Sequence, residues 1–209
     1  INWRANLEKA VKLAIPHLSC YGLTVEPGTA LERMIQLKKK AATSTAVHSQ
    51  QFDITMDMLS QAEYDHYEIS NYALAGKQAV HNSNYWKAQP YFGVGPSAHS
   101  YDGQDRYFNV SNNLQYLKSM QDGQSLLVKD ELSDADRYNE YVMTGLRTKW
   151  GCNLDAIAKI QPLYVPYFKK HIQDFIDREM VIIETDNSYT LTNSGKHFAD
   201  MISSQVFMV

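Results

Sequence analysis

The middle of the chain, residues 72–116, is interrupted too often by turn residues to form a long helix or strand. Gly93, Gly95 and Gly103 fall within it, and Pro96 follows one of them directly. Glycine frees the backbone and proline fixes it, so both tend to end regular elements. Loops of this length inside a compact domain are usually functional. We therefore expect a long insert, rich in loops, with a functional role in this part of the chain.

The residues before this segment follow helical and strand patterns in alternation. We expect helices at residues 3–14, 30–40 and 45–62, and strands at residues 17–24 and 64–69. Helix and strand alternation is typical of a parallel α/β sheet. The first part of the chain is therefore predicted to be α/β.

The last third of the chain has a different pattern. After a helix at residues 113–121, three more are expected at 135–149, 154–160 and 166–178, then a β-hairpin at 181–184 and 189–192 and a closing helix from 193. This order is typical of a winged-helix domain. Residues 134–209 carry eight Lys and Arg against ten Asp and Glu. We expect no nucleic-acid partner, because nothing supplies a positive surface for phosphates.

Composition excludes several classes of protein. The 209 residues carry a net charge of -3, and no apolar run reaches the roughly 18 residues that cross a bilayer. Cys20 and Cys152 lie far apart, which excludes a disulfide framework, favours a reducing, cytoplasmic setting and leaves too few thiolates for a four-cysteine cluster. The sequence begins at Ile1, inside a helical pattern and without methionine, so we expect it to be part of a longer chain.

Aromatic rings are concentrated in residues 64–116, where eleven Tyr, Trp and Phe alternate with three histidines and several amides. A flat, partly polar ligand suits such a surface, because rings stack on it while hydroxyls and amides orient its edges. The same residues also fit a small aromatic core that holds a long loop in place. The residues themselves leave both interpretations open.

His81 and Tyr85 are four residues apart and share a face if this stretch is helical. A ring nitrogen would then be offered to a metal beside an aromatic plane, although a lone histidine is more often a hydrogen-bonded structural residue. Glu68, at the end of a predicted strand, is interpreted either as an acid or base or, more commonly for such a position, as a partner of loop groups.

Residues 93–98 match the letters G-x-G-x-x-A of a dinucleotide-binding loop. Pro96 has no N–H to offer a pyrophosphate, and no acidic residue lies about twenty positions further on. We therefore predict a structural turn here. His99 follows this turn, and we expect hydrogen bonds to hold its ring.

Four motifs, in order, resemble the haem-chaperone (HemW) branch of the oxygen-independent coproporphyrinogen III oxidase family. They are residues 17–29 (HLSCYGLTVEPGT), 67–73 (YEISNYA), 81–86 (HNSNYW) and 93–100 (GVGPSAHS). The His-Asn-x-x-Tyr-Trp element is the specific one, because the decarboxylating branch lacks it. The order and spacing match over essentially the whole chain.

This resemblance implies a cytoplasmic radical S-adenosylmethionine protein with a partial (β/α) barrel and an appended domain. Residues 1–125 would be the end of the barrel with its aromatic insert, and 126–209 a winged-helix-like α+β domain. A Cys-x-x-x-Cys-x-x-Cys loop would hold the [4Fe-4S] cluster; the sequence has none, so we assign no catalytic residue and expect no activity from this chain alone. A sheet without its preceding strands would expose an edge near residues 17–23 and permit self-association.

The resemblance also assigns site residues. It implies that haem is contacted by His81, Asn82, Tyr85 and Trp86, with His81 at or near an axial position of the iron. Two further positions, Thr24 and Tyr67, fall where related oxidases approach S-adenosylmethionine.

Two functions follow from this assignment. The first is haem binding and delivery to an acceptor protein. The second is the substrate side of a coproporphyrinogen III oxidase in porphyrin biosynthesis, whose tetracarboxylate substrate would need several cations. Residues 64–116 supply only Lys77, Lys87 and Arg106 before the next helix, so we favour the first function.

Overall fold

A computed structural model describes residues 3–42 and 44–209 of the chain. In these ranges it contains ten helices and nine short strands, which form two compact units, Ile1–Ala79 and Val80–Val209. No helix in the described part combines the length and the apolar character needed to cross a bilayer.

The first unit contains three helices and a small sheet. Its elements are α1 (Trp3–Lys12), β1 (His17–Ser19), α2 (Ala30–Gln36), α3 (Thr45–Gln61), β2 (Asp65–Glu68) and β3 (Asn71–Ala73). Helix α3 packs against both α1 and β2. The core consists of Leu7 of α1, Leu59 of α3 and the rings of Tyr64 and Tyr72. Two tyrosines contribute because the ring body is apolar; the Tyr64 hydroxyl donates to the Ile15 carbonyl.

The predicted parallel pairing of the first two strands is wrong. The sheet order is β1-β3-β2, and β3 is antiparallel to both of its neighbours. The strands at residues 17–19 and 65–68 therefore run in the same direction without touching. The return strand β3 follows β2 after two residues. With only three residues, it is too short to show an alternation of apolar and polar side chains.

The second unit begins with the segment predicted to be rich in loops. It contains α4 (Val80–Trp86), β4 (His99–Tyr101), β5 (Arg106–Phe108), α5 (Asn113–Gln121) and β6 (Val128–Asp130). The three strands form an antiparallel sheet in the order β4-β5-β6. The Asp102 side chain accepts hydrogen bonds from the Gln104 and Asp105 amides and so closes the turn between β4 and β5.

The rest of the second unit is helical with one further sheet. Its elements are α6 (Asp134–Leu146), β7 (Cys152–Asn153), α7 (Leu154–Ile160), α8 (Tyr164–Asp177), β8 (Val181–Ile183), β9 (Ser188–Leu191), α9 (Asn193–Lys196) and α10 (Ala199–Val206). Helix α6 begins with a capping box between Ser133 and Asp136. Tyr138 of α6, Phe168 of α8 and Ile202 of α10 are fully buried.

The predicted mixture of helices and strands is confirmed. The expected three helices and hairpin are present, with β7 added, and the small sheets are antiparallel. The barrel and winged-helix descriptions, and the domain boundary at residue 125, stay predictions.

Candidate functional site

Helix α4 carries the His-Asn-x-x-Tyr-Trp sequence. It ends after Trp86, where Ala88 takes a positive φ of 48° and the Gln89 amide bonds back to the Asn84 carbonyl. His81 and Tyr85 lie one turn apart, with ring centroids 4.8 Å apart at an interplanar angle of 86°. The shared helical face expected from their spacing is therefore present, and the Tyr85 ring holds the imidazole edge to face.

The imidazole of His81 lies in solvent. The side chain is exposed and, within the described part of the chain, makes a ring contact and no hydrogen bond. A structural histidine normally has its ring nitrogens bonded. The exposed ring therefore has no hydrogen-bond partner in the described part of the chain that would compete with a metal.

A chain of rings continues from Tyr85 into the neighbouring sheet. Tyr91 meets Tyr85 at 4.8 Å between centroids, and its amide and carbonyl pair with those of Tyr101 at 2.9 Å each. Tyr101 lies on β4, so these contacts tie the end of α4 to the edge of the sheet. The aromatic segment therefore does hold a loop in place, as one of the two interpretations requires.

Next to these rings lies a cavity of about 620 Å³. This is within the range of small-molecule sites. Its walls come from α4, β4, β5, α6 and the turn after α6, and include Tyr85, Trp86, Lys87, Tyr91, Tyr101, Arg106, Arg137, Glu140, Tyr141 and Trp150. Tyr85 and Trp86 thus belong to the wall, whereas His81 and Asn82 are not part of it and Asn82 is half-buried nearby on α4.

Several cations surround this cavity. The Lys87 ammonium lies 4.4 Å from the centre of the Trp150 ring. Arg106 pairs with Glu140, and Arg137 Nη2 lies 2.7 Å from Asp134 Oδ1. The cation count made from residues 64–116 missed Arg137, because it lies on α6, about thirty residues after β5 in the chain.

Tyr101 and Trp86 are two of the rings of this wall that carry a polar atom. Burial and the neighbouring Asp102 raise the pKa of the Tyr101 hydroxyl, and the charges of Arg137 and Arg106 oppose that rise. The Trp86 indole nitrogen is buried and finds no acceptor among the described residues. Arg106 lies opposite Tyr101 on the neighbouring strand, and Arg137 lines the same cavity.

Tyr67 and Thr24, the two positions assigned to S-adenosylmethionine, have different surroundings. Tyr67 is the extra residue of a β-bulge in β2, and is fully buried. Its hydroxyl lies 2.8 Å from His17 Nε2, and burial lowers the pKa of that histidine. Thr24 is exposed, outside any helix or strand.

Glu68 takes part in a buried polar chain. Its Oε2 accepts hydrogen bonds from Asn71 Nδ2 at 2.5 Å and from the Ser70 amide at 3.2 Å, while Asn71 Oδ1 accepts one from the Ser19 hydroxyl at 2.6 Å. This chain joins β1 to the β2–β3 turn. The carboxylate is a partner of loop groups, as the commoner of the two interpretations predicts.

The glycine-rich turn before β4 uses its own amides. Those of Gly93, Gly95 and Ser97 donate to Ser100 Oγ, the Tyr116 hydroxyl and the Val110 carbonyl, which leaves them occupied within the protein. A Cβ on Gly93 would lie 2.1 Å from the His99 carbonyl oxygen, so only glycine fits.

The expectation for the His99 ring is wrong. The ring is exposed and contacts Phe108 at 5.9 Å between centroids, with no hydrogen bond in the described part of the chain. The close approach to Gly93 involves the backbone of His99 and not its ring.

The two cysteines do not form a cluster site. Cys152 is fully buried and Cys20 half-buried, and burial raises the pKa of both thiols. Among the described residues no group of three or more His, Cys, Asp or Glu is placed to hold a metal ion. An iron-sulfur cluster therefore does not fit the side chains described here.

Known sequences resemble this chain over most of its length, although no protein-family model matches it. It is 26% identical over 198 residues to the heme chaperone HemW of Lactococcus lactis and 27% identical over 204 residues to that of Bacillus subtilis, which covers 91% and 97% of this chain. The heme chaperone HemW of Mycobacterium tuberculosis is 31% identical over 154 residues, or 73% of this chain. The chain belongs with the HemW-like proteins.

This HemW-like chain spans about half the length of those relatives, 52% for the first two and 40% for the third. Its fold is similar to that of the coproporphyrinogen III oxidase HemN from Escherichia coli, a radical SAM enzyme. The TM-score is 0.70 at 17% identity, with 97% of this chain and 50% of HemN covered. The chain corresponds to the C-terminal part of a HemW-like protein.

Proposed function

We propose that this chain is the haem-binding part of a HemW-like radical S-adenosylmethionine protein that delivers haem to acceptor proteins. One observation carries the proposal: His81 is exposed, makes no hydrogen bond to the residues that the structure describes, and is held by the ring of Tyr85, which is itself part of the cavity wall. The names of the relatives, which are called heme chaperones, support it.

The side chains present fit haem. A neutral imidazole is a common axial ligand of haem iron, and His81 is exposed on α4. Tyr85 and Trp86 would provide aromatic surface for the macrocycle, and Asn82, half-buried on the same helix, would offer its amide to the ligand. When bound, haem would supply the iron that His81 ligates.

For the complete protein we propose a partial (β/α) barrel, a [4Fe-4S] cluster held by cysteines outside this chain, and bound S-adenosylmethionine. Thr24 and Tyr67 would approach the latter. Thr24 is exposed, so its side chain could contact this ligand directly. Tyr67 would act through its ring or through its hydroxyl, which forms a hydrogen bond with His17. The winged-helix assignment and a cytoplasmic location belong to the same proposal.

The oxidase alternative is weakened by the relatives rather than by charge. Arg137 and Arg106 both border the cavity, so the number of cations no longer counts against a carboxylated substrate. The relatives that match most of this chain are chaperones by name, and likeness to HemN at 17% identity supports the fold alone.

Haem titration of the full-length protein tests the proposal, with His81→Ala compared with His99→Ala as a matched exposed histidine. We expect His81→Ala to weaken haem binding and change the Soret band, and His99→Ala to leave both unchanged. Binding of the parent protein should weaken in acid, because a protonated imidazole cannot ligate iron, and His81→Ala should blunt that dependence. Unchanged spectra and affinity in His81→Ala would contradict the assignment.

A further inference from the structure

We propose that Arg106 and Arg137 bind the carboxylates of a planar aromatic ligand in the 620 Å³ cavity, so that its acidic edge lies against β5 and α6. This inference rests on the proposed function and deepens it, since haem is such a ligand. It assigns a role to two arginines that lie outside the His-Asn-x-x-Tyr-Trp sequence.

The charge of the cavity wall is opposite to that of the chain. The wall contains the three cations Lys87, Arg106 and Arg137 and the single carboxylate Glu140, a sum of +2, whereas the whole chain carries -3. A concave wall that concentrates one sign of charge attracts ligands of the other sign. The wall therefore favours an anion.

The two guanidinium groups are only partly occupied by the protein. Arg106 pairs with Glu140 and Arg137 with Asp134, and the arginine side chains are 36% and 34% exposed. A guanidinium has five N–H donors in a planar fork, so one carboxylate partner leaves donors for a second. Each arginine can bind a ligand carboxylate without first losing its internal partner.

Two of the three cations of the wall lie near each other. Arg106 pairs with Glu140, which lies three residues after Arg137 on α6, so the two arginines are near each other. The rings of Tyr85, Trp86 and Trp150 belong to the same wall and offer flat aromatic surface. A ligand with an aromatic body and two carboxylates at one edge matches this distribution, and a neutral aromatic would leave the arginines unused.

The test uses metal-free protoporphyrin IX, which cannot be ligated through iron, and its dimethyl ester, which has the same ring without the charges. Quenching of tryptophan fluorescence in the full-length protein measures binding. We expect Arg137→Gln and Arg106→Gln each to weaken binding of the diacid by about tenfold, the loss of one charged hydrogen-bonded pair. The ester should bind the parent protein about as weakly as the diacid binds these variants.

Arg178→Gln is the matched control, because Arg178 pairs with Asp174 on α8 in the same way and is not part of the cavity wall. It should bind the diacid like the parent protein. Arg137→Lys keeps the charge but loses the fork, and should fall between the parent and Arg137→Gln. Thermal melting shows whether each variant folds. If a glutamine variant does not fold, Arg137→Lys replaces it in the binding test.

The outcomes separate this inference from the proposed function. Suppose that the protein binds haem, binds the porphyrin diacid and its ester with equal affinity, and is unaffected by the Arg137 and Arg106 variants. This result overturns the arginine site and leaves the haem function standing. Absence of both haem and porphyrin binding overturns both. Binding of the diacid that depends on the arginines, with no effect of His81→Ala on haem, supports the site and contradicts the His81 ligand.

Discussion

The guanidinium carbon of Arg147 lies 5.8 Å from the centre of the Trp86 indole ring. Trp86 is the last residue of α4, and Arg147 is the C-cap of α6. This contact gives the indole a fixed place in the wall of the cavity, so that the ring can meet a flat ligand without first being ordered.

Replacement of Trp86 by alanine in the full-length protein should weaken haem binding by about 0.5 to 1.5 kcal/mol, the range for an aromatic contact. The Soret band should stay in place, because the indole packs and does not ligate. Trp86→Phe is the control: it keeps an aromatic plane and removes an N–H that is buried without an acceptor. Absorbance titration measures both, and a shifted Soret band in Trp86→Ala would contradict this role.

Cys152 should resist alkylation in the native protein and react only when the chain unfolds. The residue is fully buried and its thiol pKa is raised by burial, so the reactive thiolate is scarce at neutral pH. Cys20, half-buried with a raised pKa, should react slowly but measurably. Iodoacetamide labelling with mass spectrometry, with and without urea, distinguishes the two cysteines. Labelling of Cys152 before Cys20 in the absence of urea would contradict its burial.

Gly195→Ala should lower the free energy of unfolding by about 3 kcal/mol, the upper end of the range for overpacking. A Cβ at this position would lie 2.0 Å from the Met180 carbonyl oxygen, which is backbone and cannot rotate away. Gly22→Ala is the control, since a Cβ there meets nothing within 4 Å and the residue has no positive φ. Urea unfolding measures both variants, and equal losses in the two would contradict the close packing of α9.

Asn71→Asp should destabilise the protein at neutral pH and recover part of that loss in acid. The new carboxylate would take the place of the amide that donates to Glu68 at 2.5 Å, so two like charges would be buried together. Binding one proton removes the repulsion only in the folded state, so stability rises as the pH falls. Urea unfolding at pH 7 and pH 5 tests this, with Asn71→Ala as the variant that should show no such recovery.

The second unit should bind duplex DNA no more tightly than a neutral protein does. Lys169 and Lys170 of α8 are accompanied on the same helix by Asp174 and Asp177, so no run of cations faces a phosphate backbone. Gel shift with random duplex at low salt is the measurement, and micromolar binding would contradict it.

Elements with strong local signals could be predicted from the sequence. Helix α5 occupies Asn113–Gln121 as predicted, because Asn112 caps its first turn through the Leu114 and Gln115 amides. The β8–β9 hairpin was found from the turn residues between its strands. The four-residue turn of this hairpin and the cap at Asn112 both depend only on residues that are neighbours in the sequence.

Other features depend on residues far apart in the chain. The strand pairing in the first unit could not be predicted, because β3 is only three residues long and takes the place expected for a parallel neighbour. The cavity brings Tyr85 together with Arg137 and Trp150, more than fifty residues away. A count restricted to one segment therefore underestimated its positive charge.

The central position of β3 also sets an order for folding. Strands β2 and β3 meet across two residues, whereas β1 joins β3 through contacts such as Ser19 to Asn71, 52 residues apart. Closing the longer loop costs more chain entropy, so the β2–β3 hairpin should form early against α3 and β1 should add last. In pulsed hydrogen exchange, the Cys20 amide, which bonds to the Ser70 carbonyl, should therefore be protected later than the amides within the hairpin.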